Sequence, residues 1–88
     1  MKVEYRKRFL KDLAEVPSHI RPAIERFVFE ELPQADSRQV TGRIEKLKGH
    51  QGFFKVRFGD YRVGLSLSCD TVTLERVLNR KDIYRKFP

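Results

Sequence analysis

Phe54, Val56 and Phe58 alternate with Phe53, Lys55 and Arg57. That is the period of a strand buried on one face. Gly59-Asp60 follows where a two-residue turn belongs. With that turn, Phe58 faces Tyr61, Arg57 faces Arg62 and Val56 faces Val63. The apolar set then shares one face of the hairpin, and Lys55, Arg57 and Arg62 share the other. A further strand runs over Tyr61–Ser68, Cys69-Asp70 makes a turn, and Thr71–Leu78 gives a strand rich in β-branched residues. The alternation places Val72 and Leu74 on the core face, and Arg76 with them. A charge is costly there, so a bulge near Arg76-Val77, or an edge position with the side chain reaching out, is expected.

The first half follows other periods. Lys2–Arg6 alternates and reads as a strand. Phe9, Leu10, Leu13 and Ala14 recur at helical spacing until Pro17 stops them. Ser18 is placed to cap a second helix. Its apolar stripe is Ile20, Ile24, Phe27, Val28 and Leu32, with Pro22 in the first turn and Pro33 at the end. Val40, Ile44 and Leu47 are spaced for a short helical turn or an irregular packed segment. Gly49 and Gly52 flank the approach to the hairpin, and the tail Lys81–Pro88 has room for a turn or two of helix. The order strand, helix, helix, antiparallel meander predicts an α+β fold. Two helices cover one face of the sheet, and the other face stays open and carries the cations.

The chain has 88 residues, enough for one small domain spanning residues 1–88 with a thin core. Nineteen Lys and Arg against twelve Asp and Glu give a net charge of +7. That excess favours an anionic partner, nucleic acid first among them. Cys69 is the single cysteine. It permits no intramolecular disulfide and suits a reducing cytoplasm. His19 and His50 lack ligand spacing and read as surface residues, so no metal or other cofactor is expected. No apolar run is long enough for membrane insertion or export.

Like charges opposite one another on a sheet repel, so Lys55, Arg57 and Arg62 together point to an anion, and phosphate is the natural one. The hairpin and tail read Phe54-Lys55-Val56-Arg57, Gly59-Asp60-Tyr61-Arg62 and Arg80-Lys81-Asp82-Ile83-Tyr84. In these motifs, and in the order of elements over essentially the whole chain, the sequence resembles the RelE/ParE superfamily of bacterial toxins. The resemblance implies one of two activities. RelE-like members cut messenger RNA in the ribosomal A site. ParE-like members inhibit DNA gyrase and generally lack the basic-plus-tyrosine set. Basic residues at 55, 57, 62 and 80 with Tyr84 place this chain nearer the RelE branch. Two departures are Arg57, where a lysine also occurs in such enzymes, and Asn79, where many relatives carry His or Lys. The resemblance further implies a cognate antitoxin in a toxin–antitoxin hetero-oligomer, and the ribosome with its message as targets. A non-catalytic module that binds RNA or antitoxin is a third reading.

Under the RelE-like reading the 2′-hydroxyl of RNA is the nucleophile, and cations act on the charge of the transition state. Lys55 is then the candidate base, because neighbouring cations disfavour its charged form. Arg57 binds phosphate, since guanidinium stays protonated. Arg62 stabilises the transition state. Arg80 serves the leaving group as donor or acid. Tyr84 stacks on a base or orients the 2′-hydroxyl. Each has a structural alternative: solvated strand face for Lys55 and Arg57, turn-flanking charge for Arg62, a carbonyl cap or a pair with Asp82 for Arg80, and core aromatic for Tyr84, as for Phe87. Phe53 is either a base-stacking platform or an antitoxin contact, and Tyr61 is core. The cations of residues 2–11 and of 43–48 are either a grip on ribosomal RNA or solvated faces.

Overall fold

The computed structural model describes residues 1–36 and 43–88. Strand β1 (Lys2–Tyr5) leads into helix α1 (Lys7–Ala14). Helix α2 is a continuous run over residues 21–34, α-helical at Arg21–Arg26, π-helical at Phe27–Glu31 and α-helical again at Leu32–Gln34. Strands β2 (Glu45–Lys46), β3 (Phe53–Phe58), β4 (Tyr61–Ser68) and β5 (Thr71–Asn79) follow, then helix α3 (Arg80–Lys86). The sheet order is β1-β5-β4-β3-β2. All neighbours are antiparallel except β1, which lies parallel to β5.

The hairpin register is the expected one, with Phe58 opposite Tyr61, Arg57 opposite Arg62 and Val56 opposite Val63. Val56, Phe58, Val63, Leu65, Val72, Leu74 and Val77 bury one sheet face against Phe9, Leu13, Ile24, Phe27, Val28 and Leu32 of the helices. Tyr61 packs against this core while staying partly exposed. Leu10 and Ala14, though in helical phase, face solvent.

Several local expectations change. Ser18 caps nothing. The Pro17 carbonyl instead accepts from the amides of Ile20 and Arg21, and α2 starts at Arg21 with Pro22 in its first turn. Pro33 does not end α2, which continues to Gln34. The π-helical turn explains why. Leu32 N–H donates to the carbonyl of Phe27, five residues back. Continued by one residue, that pattern would pair Val28 with Pro33, which has no N–H. The Tyr5 hydroxyl donates to the Val28 carbonyl instead, at 2.7 Å. Leu47 and Ile44 belong to no helical turn. Glu45–Lys46 between them is a short edge strand on β3, and Val40 lies outside the described residues.

The β5 bulge comes one residue earlier than expected. Gly64 pairs with Arg76 and Leu65 with Leu74, which leaves Glu75 extra. The bulge returns Val77 to the core. Arg76 Nε sits 2.7 Å from Asp12 Oδ2, and the same carboxylate oxygen accepts from the Val77 amide at 3.2 Å. One carboxylate from α1 thus neutralises the cation and satisfies an amide on the strand edge that β1 has left.

The second sheet face is not open along its length. Ile83 and Phe87 of the tail pack on it with Leu47, Phe53 and Leu78 as a second small core. A seven-residue helix is unstable alone, so this docking is what holds α3 in place. Asn79 starts the helix, its side-chain oxygen accepting from the Lys81 amide at 3.0 Å. Gly64 makes the close approach possible. A Cβ there would lie 2.8 Å from the Phe87 ring.

Candidate active site

Across the sheet, Lys55 pairs with Glu45 on one side and Gly64 on the other. The missing side chain at Gly64 lets Phe87 settle there, and α3 then runs beside Lys55. Ile83 points inward from α3 and is 1% exposed, whereas its neighbour Tyr84 is 57% exposed. The Lys55 ammonium donates to the Tyr84 hydroxyl at 2.6 Å. Its nitrogen also lies 4.8 Å from the centre of the Tyr84 ring. Residues 29 positions apart are thus joined by a charge-assisted bond. That bond holds the Tyr84 hydroxyl below the usual phenol range. Partial burial opposes the shift, and the charges of Lys55 and Arg62 reinforce it.

Arg62 departs from expectation. It is 8% exposed rather than part of an open face. Its Nη1 donates to the carbonyls of Gly59 at 2.7 Å and of Tyr61 at 3.0 Å, so the guanidinium holds its own turn together. Two carbonyl acceptors offset part of the repulsion from Arg57 opposite. Arg57 is exposed and has no ion pair among the described residues. Arg80 opens α3. Its amide donates to the Asp60 carbonyl at 2.7 Å, and its Nε lies 3.8 Å from the Asp60 carboxylate. Asp82, the alternative partner, binds Arg85 instead.

The fold therefore joins Lys55 and Tyr84 directly, sets the Arg62 charge near them, and carries Arg57 and Arg80 toward the turn end of the hairpin. Tyr84 is not a core aromatic; Phe87 is. Phe53 is partly buried in the second small core and keeps part of its surface exposed. Its ring meets Phe87 edge-on at 5.7 Å. At the other end of β3, a depression of about 240 Å³ is lined by Lys55 and Tyr84 together with Glu45, Lys48 and His50 among others. His50 is exposed, as its reading as a surface residue expected, but its place beside Lys55 and Tyr84 was not foreseen, and Glu45 was not singled out. For Glu45 the cause is the two-residue length of β2, too short to show alternation. A signal for His50 was present in Gly49 and Gly52, whose positive φ values of 82° and 83° shape the loop that carries it.

Residues 3–84 match the family model described as the ParE toxin of type II toxin–antitoxin systems, parDE. The sequence is 42% identical to Toxin RelE3 of Methanocaldococcus jannaschii over 89 aligned positions, covering all of both chains. The fold aligns with a TM-score of 0.80 to a chain of the RelB-RelE antitoxin-toxin complex from Methanococcus jannaschii. That match has 39% identity and covers 97% of this chain and 99% of that one. A chain of the RelBE2 toxin-antitoxin complex from Mycobacterium tuberculosis aligns with a TM-score of 0.69 and 28% identity, over 90% of this chain and 96% of that one.

Proposed function

Because this chain belongs to the ParE toxin family of type II toxin–antitoxin systems and is RelE-like, we propose that it is a ribosome-dependent endoribonuclease that cuts messenger RNA in the A site. The observation that carries this reading is the 2.6 Å bond between Lys55 and Tyr84 on an exposed basic surface. Cleavage needs a base for the 2′-hydroxyl, and a phenol brought below its usual range supplies one. This moves the role of base from Lys55, where it was expected, to Tyr84, which was expected to stack on a base or orient the 2′-hydroxyl. Tyr84 takes the proton, and Lys55 holds the phenolate that does so. Arg62 acts through Tyr84 by its charge and by fixing the hairpin turn. Arg57 and Arg80, toward the turn end of the hairpin, contact phosphates of the message that flank the cut, where guanidinium matches phosphate oxygens.

The 2′-oxygen attacks phosphorus and the 5′-oxygen departs. The products are a 2′,3′-cyclic phosphate and a 5′-hydroxyl. In a translating extract, fragments made by the protein should accept a phosphate at the 5′ end from a polynucleotide kinase without prior dephosphorylation. Fragments that carry a 5′-phosphate already would rule out this chemistry. Relatives solved with RelB support an antitoxin partner here too, and a net charge of +7 favours an acidic one.

The parDE description of the matched family favours a second reading, inhibition of DNA gyrase. Supercoiling of relaxed plasmid by gyrase, with and without the protein, separates the two. The endoribonuclease reading expects no change.

A further inference from the structure

We propose that His50 is the general acid of this site, giving its proton to the 5′-oxygen as that oxygen leaves phosphorus. The inference rests on the endoribonuclease reading and adds the group that reading lacks. A leaving alkoxide needs a proton, and arginine does not release one. Arg80, the residue first cast in that role, is not among the residues lining the depression beside Lys55 and Tyr84. Its Nε faces the Asp60 carboxylate at 3.8 Å, at the turn end of the hairpin.

His50 does line that depression. Imidazole is the side chain type that exchanges protons near neutral pH. Two bonds fix the backbone beneath it. The His50 amide donates to the Leu47 carbonyl at 3.1 Å, and the His50 carbonyl accepts from the Phe53 amide at 3.2 Å. The loop is thus tied at both ends to the segments that flank it. The side chain itself is exposed and makes no hydrogen bond or ion pair among the described residues. The charged or titratable groups that share the depression are Glu45, Lys46, Lys48, Lys55 and Tyr84, and the three lysines suit it to a phosphodiester.

The 2′-oxygen bonds to phosphorus and its proton passes to the Tyr84 phenolate. The bond from phosphorus to the 5′-oxygen breaks, the electron pair stays on that oxygen, and the His50 imidazolium protonates it. Tyr84 and His50 then return to their starting states by exchange with water.

The test is single-turnover cleavage on programmed ribosomes by the wild-type protein and His50→Ala. One message is ordinary; in the other, sulfur replaces the 5′-bridging oxygen at the cut site. A thiolate leaves without protonation. His50→Ala should cut the ordinary message about 10²-fold more slowly or worse, yet cut the sulfur message within a few-fold of wild type. Thermal melting checks folding, which an exposed loop substitution should leave intact. Equal slowing on both messages, or slowing on neither, overturns the role of His50 alone. A wild-type protein that cuts neither message overturns the endoribonuclease reading and this inference with it.

Discussion

Tyr84 and Tyr5 should ionise on opposite sides of the ordinary tyrosine value. Burial raises Tyr5, whereas the Lys55 hydrogen bond lowers Tyr84. On raising the pH, phenolate absorbance should therefore develop from Tyr84 before Tyr5. Lys55→Met removes the cause of the lowering, so the Tyr84 step should move to higher pH and the cleavage rate at neutral pH should fall. An unchanged first step in Lys55→Met would show that the bond does not tune the phenol. Arg62→Ala now carries a different expectation from the one the sequence suggests. As an open-face cation it would be removable without harm to the fold. Buried and bonded to the Gly59 and Tyr61 carbonyls, it should cost about 1–3 kcal/mol of stability. It should also lower the cleavage rate in whatever fraction stays folded. Urea unfolding beside single-turnover cleavage measures both, and wild-type stability would contradict the structural role.

Helix α3 carries Tyr84 to Lys55, so its docking decides whether the pair exists. Gly64→Ala drives a methyl to 2.8 Å from the Phe87 ring, an overpacking of about 1–3 kcal/mol. The expected outcome is faster amide exchange in α3, a Tyr84 step moved back up toward the ordinary phenol range, and reduced cleavage. Unchanged exchange in α3 would mean the ring moves aside at little cost. This contact was hard to read from sequence, because a glycine within a strand gives no sign of what lies over it. The hairpin was readable because Phe54 to Val63 alternates about a turn of fixed length. The second helix was readable because its stripe runs over more than three turns. What escaped was set by pairs distant in sequence: Asp12 with Arg76, Tyr5 with the carbonyl opposite Pro33, and Ile83 and Phe87 with Leu47. The candidate site was half legible. Its residue types stood in the motifs, but which of them touch depended on where a two-turn helix folds back.

The whole molecule carries a net charge of +7, so it should bind RNA of any sequence with strong salt dependence. Binding is not cutting. In the proposed mechanism, proton transfer to Tyr84 helps only when the 2′-oxygen lies in line with the bond that breaks, and orientation supplies much of the barrier reduction. Free RNA at physiological salt should therefore be cut far more slowly than message held in the A site. Equal single-turnover rates on the two substrates would contradict that dependence. The most direct measurement of the central claim is primer extension on a translated message exposed to the wild-type protein and to Tyr84→Phe. The wild type should give stops within codons at the A site. Tyr84→Phe keeps the ring and the docked helix but has no proton to exchange, so its stops should fall by about 10²-fold or more. Stops of equal strength from Tyr84→Phe, or none from the wild type, would contradict the account.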